Sequence, residues 1–147
     1  MQRQETIWPV GAGSVADPVL GQGELVKMGV VFWASFKADF APIESKVTVL
    51  VDVFEGSVPS SAIDLYREIE TNYPMILPKI LKLVCSKSSA PEMAVQKGFK
   101  LEAIDLRGHI RPSKCVLHYR TERTDFEFDW YARVSPDYRI EFCGERD

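Results

Sequence analysis

Residues 46–54, KVTVLVDVF, decide the fold of this chain, because valine recurs at every second position. Val47, Val49, Val51 and Val53 would share one face of a β-strand, since successive side chains of a strand point to opposite sides. Such a density of β-branched residues is typical of a central strand. The stretch therefore predicts a strand in the middle of a sheet, with an apolar face that another element must cover.

The run that begins at Glu24 also alternates with period two. It predicts a strand with one face formed by Met28, Val30, Phe32, Ala34 and Phe36 and the other by Val31, Trp33, Ser35 and Lys37. We expect this strand and the valine strand to be antiparallel neighbours, because a short loop with Pro42 joins them. Residues 1–23 hold four glycines and two prolines. We expect an irregular segment there, with one short strand at about 5–10 and a turn at 11–14.

After the valine strand, apolar residues follow a helical spacing over residues 62–84. A proline inside a helix removes one backbone hydrogen bond and costs about 3 kcal/mol. Pro74 interrupts the apolar stripe, and the residue before a proline also avoids helical angles. We therefore expect a bent pair of helices, 61–72 and 75–86, packed across one face of the sheet.

The last third of the chain contains four short alternating runs separated by turn residues. They are LEAIDL (101–106), SKCVLHYR (113–120), FEFDWYARV (126–134) and YRIEFCG (138–144). Short strands with this spacing predict a C-terminal antiparallel meander. The sequence shows no internal repeat and no Gly/Ser linker, so we predict one α+β domain over residues 1–147, with a mostly antiparallel, twisted sheet.

Composition limits the function. With 46% hydrophobic and 27% charged residues among 147, the chain is typical of a globular protein. Its net charge of −3 argues against a dedicated nucleic-acid binder, which usually carries a basic patch. No apolar run approaches about 18 residues, so the sequence predicts no membrane span. The three cysteines are far apart and form no C-x-x-C pair, which favours a reducing cytoplasm.

The segment 108–122, GHIRPSKCVLHYRTE, gathers both histidines, His109 and His118, together with Cys115. On a strand through 113–120, Cys115 and His118 point to opposite faces, so they cannot share a metal ion or form a nucleophilic pair. A zinc site needs about four convergent ligands. We interpret the segment as an ordinary strand and predict no metal site, no catalytic residue and no cofactor.

Three carboxylates, Asp125, Glu127 and Asp129, alternate with aromatic residues in DFEFDW. Side chains two apart on a strand are about 6.5–7 Å apart, a separation that some glycosidase carboxylate pairs also have. The same alternation is expected of a half-exposed strand with solvated carboxylates, and we favour that interpretation. A small hydrolase that uses these carboxylates, with His118 as acid or base, stays open as an alternative.

Short stretches over nearly the whole chain carry a family resemblance. They are DPVLG (17–21), EL (24–25), FW (32–33), KVTVLVD (46–52), VPSS (58–61), NYP (72–74), PKIL (78–81) and FDW (128–130). In these stretches and in the order of its elements, the chain resembles small bacterial domains of unknown function, some of which look like immunity proteins of polymorphic toxin systems. The resemblance implies a toxin as partner and implies no catalytic residue.

Our leading functional prediction is a non-enzymatic, cytoplasmic protein-binding module, which would be an immunity protein if its partner is a toxin. Acidic strand positions and aromatic side chains suit a basic cleft on such a partner. The predicted contact residues are Trp33, Asp125, Glu127, Asp129 and Tyr131, with Trp8 as a further candidate. A structural subunit of a larger assembly is the third hypothesis.

Overall fold

The computed structural model describes residues 9–87, 99–108, 114–121 and 129–146. These ranges contain eight β-strands and one α-helix. The strands before the helix are β1 (Val10–Asp17), β2 (Gly21–Met28), β3 (Val31–Phe40) and β4 (Ser45–Asp52). Helix α1 (Ser60–Lys87) is followed by β5 (Phe99–Asp105), β6 (Cys115–Thr121), β7 (Asp129–Val134) and β8 (Ile140–Arg146). A short 3₁₀ turn, Ala41–Ile43, joins β3 to β4.

All eight strands belong to one sheet, and their order in the sheet is their order in the sequence. Every neighbouring pair is antiparallel except β4 and β5, which are parallel. A parallel pair needs a long crossover connection, and α1 lies in that connection. The predicted α+β class, the mostly antiparallel sheet and the C-terminal meander are confirmed.

The valine strand is the centre of the core, as predicted. Val47, Val49 and Val51 of β4 are at most 1% exposed, and Val53 just beyond β4 is also buried. The strand pairs with β3 on one side and with β5 on the other. The predicted antiparallel pairing of the two alternating runs is therefore confirmed.

The strand predicted from Glu24 onward is wrong in one respect, because a hairpin divides it. Strand β2 ends at Met28 and β3 begins at Val31, so Gly29 and Val30 form a two-residue turn. Gly29 has a φ of +65°, a backbone conformation that glycine adopts without steric cost. Apolar residues continue to alternate across this turn, and for that reason the pattern predicted a single strand.

The turn predicted at 11–14 is also wrong, because these residues lie inside β1. Pairing of β1 with β2 shifts register between Gly11 and Gly13, so the glycines accommodate an irregularity within a strand. The chain reverses instead after Asp17, whose carboxylate accepts hydrogen bonds from the amides of Val19 and Leu20. The predicted strand at 5–10 lies mostly outside the described residues.

The predicted pair of helices is wrong: residues 60–87 form a single α-helix that contains both Pro74 and Pro78. The prolines are four residues apart and exposed, so they lie on the same outer side of the helix. On this exposed side, water can hydrate the backbone carbonyls whose helical hydrogen bonds are removed by the two prolines. The opposite side carries one uninterrupted buried stripe, which consists of Tyr66, Ile69, Tyr73, Ile76, Ile80 and Val84. Burial of this stripe on the sheet outweighs the proline penalty.

A polar cluster attaches α1 to the turn between β7 and β8. Tyr138 donates a hydrogen bond of 2.5 Å to Glu68 Oε1, and Lys114 Nζ lies 2.9 Å from the same oxygen. Asn72 donates to the Tyr138 hydroxyl, and Lys79 donates to the Tyr138 carbonyl. The hydrogen bonds from Tyr138 and Lys114 lower the pKa of Glu68. The contribution of Glu68 to this cluster is therefore greatest while its carboxylate is ionised.

We predict that Pro74→Ala stabilises the protein. It restores an amide inside the helix, worth about 3 kcal/mol, and loses about 1 kcal/mol of the entropy benefit that proline gives in the unfolded chain. Urea unfolding should show a free energy of unfolding about 2 kcal/mol higher. Pro42→Ala, in the 3₁₀ turn, is the control and should lower stability by at most about 1 kcal/mol. A destabilised Pro74→Ala variant would contradict this account of the helix.

We further predict a pH-dependent contribution of Glu68. Its pKa is lower in the folded protein, so its contribution is fully present above its unfolded pKa and is lost as the pH falls through its folded pKa. The stability difference between wild type and Glu68→Gln, measured by urea unfolding between about pH 7 and about pH 3, should disappear at the acidic end. The exposed Glu102→Gln serves as control. A difference that does not change with pH would mean that charge at Glu68 is unimportant.

Candidate partner-binding surface

Exposed apolar side chains gather at one end of the sheet, beside the β2–β3 hairpin. Val30 is 93% exposed, Phe54 65% and Phe32 38%. Together these three line one hollow with Glu55, and we call them the tip surface. A monomeric globular protein rarely leaves several large apolar side chains together in water, so this end of the sheet is a candidate for contact with another molecule.

Two tight turns hold the tip surface in place. Gly29 allows the hairpin turn that carries Val30 outward. In the second turn, the backbones of Phe54 and Ser57 exchange two hydrogen bonds of 3.0 Å, and both residues between them have positive φ angles. Glu55, with a φ of +52°, adopts a conformation that costs a non-glycine residue about 1–2 kcal/mol. This strained turn directly follows Phe54, whose side chain is exposed to solvent.

The tip surface contains two small neighbouring hollows. One has a volume of about 290 Å³ and a neighbouring one about 210 Å³, and both are lined by Phe32, Val53 and Glu55. Sites for small molecules usually enclose about 300–1,000 Å³ in a concave cleft. Lys27 lies at the margin, with its Nζ 5.7 Å from the centroid of the Phe32 ring. An apolar centre with charged residues at its margin is the usual arrangement of a protein–protein interface.

The sheet face opposite α1, which we call the open face, contains an ion pair beside Trp33. Arg107 donates two side-chain hydrogen bonds of 2.9 Å to Asp105, which is buried. The guanidinium carbon of Arg107 also lies 4.7 Å from the Trp33 ring centroid. Trp33, predicted as an exposed contact residue, is thus half-buried under Arg107, and its buried Nε1 has no hydrogen-bond acceptor among the described residues.

The other predicted contact residues are placed only in part. Tyr131 of β7 lies on the open face opposite His118 of β6, and both are half-buried. The backbone of Asp129 pairs with Arg120. Asp125 and Glu127 lie outside the described residues, as do His109 and Trp8. The hydrolase hypothesis depends on those carboxylates, and it stays a prediction.

Residues 115–121 form strand β6, which confirms the strand predicted in this segment. Cys115 is 2% exposed and faces the core with Leu117 and Tyr119, whereas His118 faces the other side. Burial raises the pKa of the Cys115 thiol to about 12, so the thiolate is not populated at neutral pH. In the part of the chain that the structure describes, no three metal-ligating side chains come together.

Sequence reasoning missed the tip surface, because it placed Val30 and Phe32 together with Ala34 and Phe36 on one face of a single uninterrupted strand. The sequence nevertheless contains a signal for the two tight turns. MGVV at 28–31 places glycine at the first position of a two-residue turn, and EG at 55–56 places glycine at the second position of the turn that follows Phe54. Apolar residues that flank such turns are candidates for exposure rather than for burial.

Comparisons with protein families, with curated proteins and with solved structures find no match to this chain. The resemblance to immunity-like bacterial domains therefore stays a hypothesis. Within the described ranges, no helix has both the length and the apolar character needed to cross a membrane.

We predict that Cys115→Ala lowers the free energy of unfolding by about 1–2 kcal/mol, because it leaves a small void in the core. His118→Ala, on the opposite face, should cost about 0.5 kcal/mol or less. EDTA should leave the Tm of each protein unchanged. Equal losses in the two variants, together with a Tm that falls on addition of chelator, would instead indicate a metal site.

Proposed function

We propose that this protein is a non-enzymatic protein-binding module and that it contacts its partner through the tip surface. The observation that carries the proposal is the exposure of Val30, Phe32 and Phe54 around one small hollow. A partner would insert an apolar anchor into this hollow, since a few buried anchors supply most of the affinity of an interface.

The charges beside the hollow support a partner with a basic contact surface. Glu55 and Asp52 line the same hollow as Phe54, and their two negative charges exceed the positive charge of Lys27 at its margin. The chain as a whole has a net charge of −3. Opposite charges at the margin of an interface accelerate association and select the partner. A basic catalytic cleft, as in a toxin that acts on nucleic acid, would complement this surface, and it agrees with the resemblance to immunity proteins.

The proposal also places the protein in the cytoplasm of a bacterium. Cys115 is a buried free thiol, which is the usual state of cysteine in a reducing compartment. An immunity protein acts where its toxin would reach the cell's own targets, and the proposed function therefore requires this compartment.

We predict that Val30→Asp and Phe54→Asp each weaken partner binding by about 10-fold or more, because each places a charge in the apolar centre of the interface. Both side chains are exposed, so the variants should fold and melt like wild type. Met75→Asp is the matched control: Met75 is 47% exposed, but it lies on α1 away from the tip surface. A partner recovered through its binding to the wild-type protein should be purified. Its affinity for wild type and for each of the three variants should then be measured by calorimetry.

The same partner tests the immunity hypothesis. It should stop growth when it is expressed alone, and co-expression of the wild-type protein, but not of Phe54→Asp, should restore growth. Equal affinity of wild type, Val30→Asp and Phe54→Asp for the partner would show that the tip surface is not the contact. A partner without toxicity would remove the immunity function and leave the binding module.

A further inference from the structure

The two edges of the sheet differ in chemistry. Edge strand β8 carries Glu141, Glu145 and Arg146, and Arg139 precedes it. Edge strand β1 has neither a charged residue nor a proline from Val10 to Ala16. Charged residues and prolines on an edge strand hinder its pairing with a further strand. Strand β8 is therefore protected against such pairing by its charges, whereas β1 has no such charges and its irregularity is confined to Gly11–Gly13, near its start.

The edge of β1 is also open in the structure. Within the described ranges, β1 pairs only with β2, so the amides and carbonyls on its other side point away from the sheet. Its first five residues are all exposed, and Val10 is 61% exposed. An uncharged strand that presents a row of backbone donors and acceptors to solvent is a template for another strand.

We propose that β1 pairs with β1 of a second copy of this chain, antiparallel and about a two-fold axis, so that the sheet continues across a dimer. A two-fold axis brings the same strand of each copy together, and β1 from 10 to 16 offers no like charges that would oppose each other. The single charge of β1, on Asp17, already accepts two amide hydrogen bonds in its own turn. Pairing of β1 with β8 of another copy would produce an open chain of molecules, and the charges of β8 oppose it.

The geometry of β1 predicts a weak dimer. The register of β1 against β2 shifts between Gly11 and Gly13 and is regular from Gly13 to Asp17. The self-pairing is therefore centred near Ser14 and involves only a short stretch of backbone. An interface of this kind buries less than the roughly 1,200 Å² of a stable complex, so association should require micromolar concentrations.

The dimer is independent of the proposed function. Residues of the hairpin turn lie near the start of β1, since Val10 pairs with Lys27. Antiparallel pairing directs the starts of the two β1 strands in opposite directions, so the two tip surfaces lie at opposite ends of the joined sheet. Each copy can bind a partner whether or not the dimer forms.

Sedimentation of wild type, Ser14→Lys and Ser14→Glu at about 10 to about 500 µM tests the proposal. The average mass of wild type should rise from 16.6 kDa towards twice that value. Each variant alone should stay monomeric, because like charges meet across the axis, and an equimolar mixture of the two should dimerise again. Ser45→Lys is the control, since Ser45 is an exposed serine on the internal strand β4, and it should behave like wild type.

Three results would overturn the proposal: a wild-type protein that is monomeric throughout, a Ser14→Lys variant that dimerises like wild type, or a mixture that stays monomeric. Circular dichroism establishes that each variant is folded. If the Ser14 variants do not fold, the double variants Ala12→Lys/Ala16→Lys and Ala12→Glu/Ala16→Glu replace them with the same expected results, because these two exposed positions oppose each other in a pairing centred near Ser14.

Discussion

The structure depends on the burial of the valine face of β4 beneath α1. Strand β4 is hydrogen-bonded to β3 and to β5, and its alternate valines have almost no exposed surface. A shift of register by one residue would turn all of these valines to the open face, at a cost of about 1.5–3 kcal/mol for each exposed side chain. Burial of this valine face therefore fixes the register of β4 with respect to both β3 and β5.

The parallel pairing of β4 and β5 extends this constraint to the rest of the sheet. Because α1 lies in the crossover, it meets both halves of the sheet. Tyr73 packs edge-on against Phe40 of β3, with ring centroids 5.1 Å apart, and its hydroxyl lies 2.8 Å from that of Tyr119 on β6. Burial raises the pKa of Tyr73 to about 12, so the hydroxyl stays neutral and the hydrogen bond satisfies both buried groups. The helix thus joins strands that are three positions apart in the sheet.

The same arrangement leaves the tip surface uncovered. Helix α1 begins at Ser60, after the Phe54–Ser57 turn has carried the chain away from the end of β4. Phe32 lies on the same sheet face as the buried Ala34 and Phe36, yet it is 38% exposed. Tyr66 and Tyr73 of α1 contact β3 at Asp39 and Phe40, which are at the other end of the strand. The apolar surface that supports the binding proposal thus lies at the end of β3 away from these helix contacts.

The sequence by itself determined the elements whose stability comes from a regular apolar pattern. The valine strand, its antiparallel pairing with β3, the helical stripe, the terminal meander and the opposite orientations of Cys115 and His118 all follow from side-chain period. Local signals were weaker: the hairpin at Gly29 was concealed by apolar letters on both sides of it. For the predicted contact residues Trp33 and Tyr131, the alternating pattern correctly predicted that both lie on strands. It gave no information about the Arg107 guanidinium that covers Trp33.

Only the tertiary structure decided the continuity of α1 and the exposure of the tip surface. The proline penalty is a local cost of about 3 kcal/mol, whereas the stripe from Tyr66 to Val84 gains more by burial on a sheet whose strands are distant in sequence. The parallel pairing of β4 with β5 is equally non-local. Which apolar residues remain in water depends on the element that covers them, and no window of sequence contains that element.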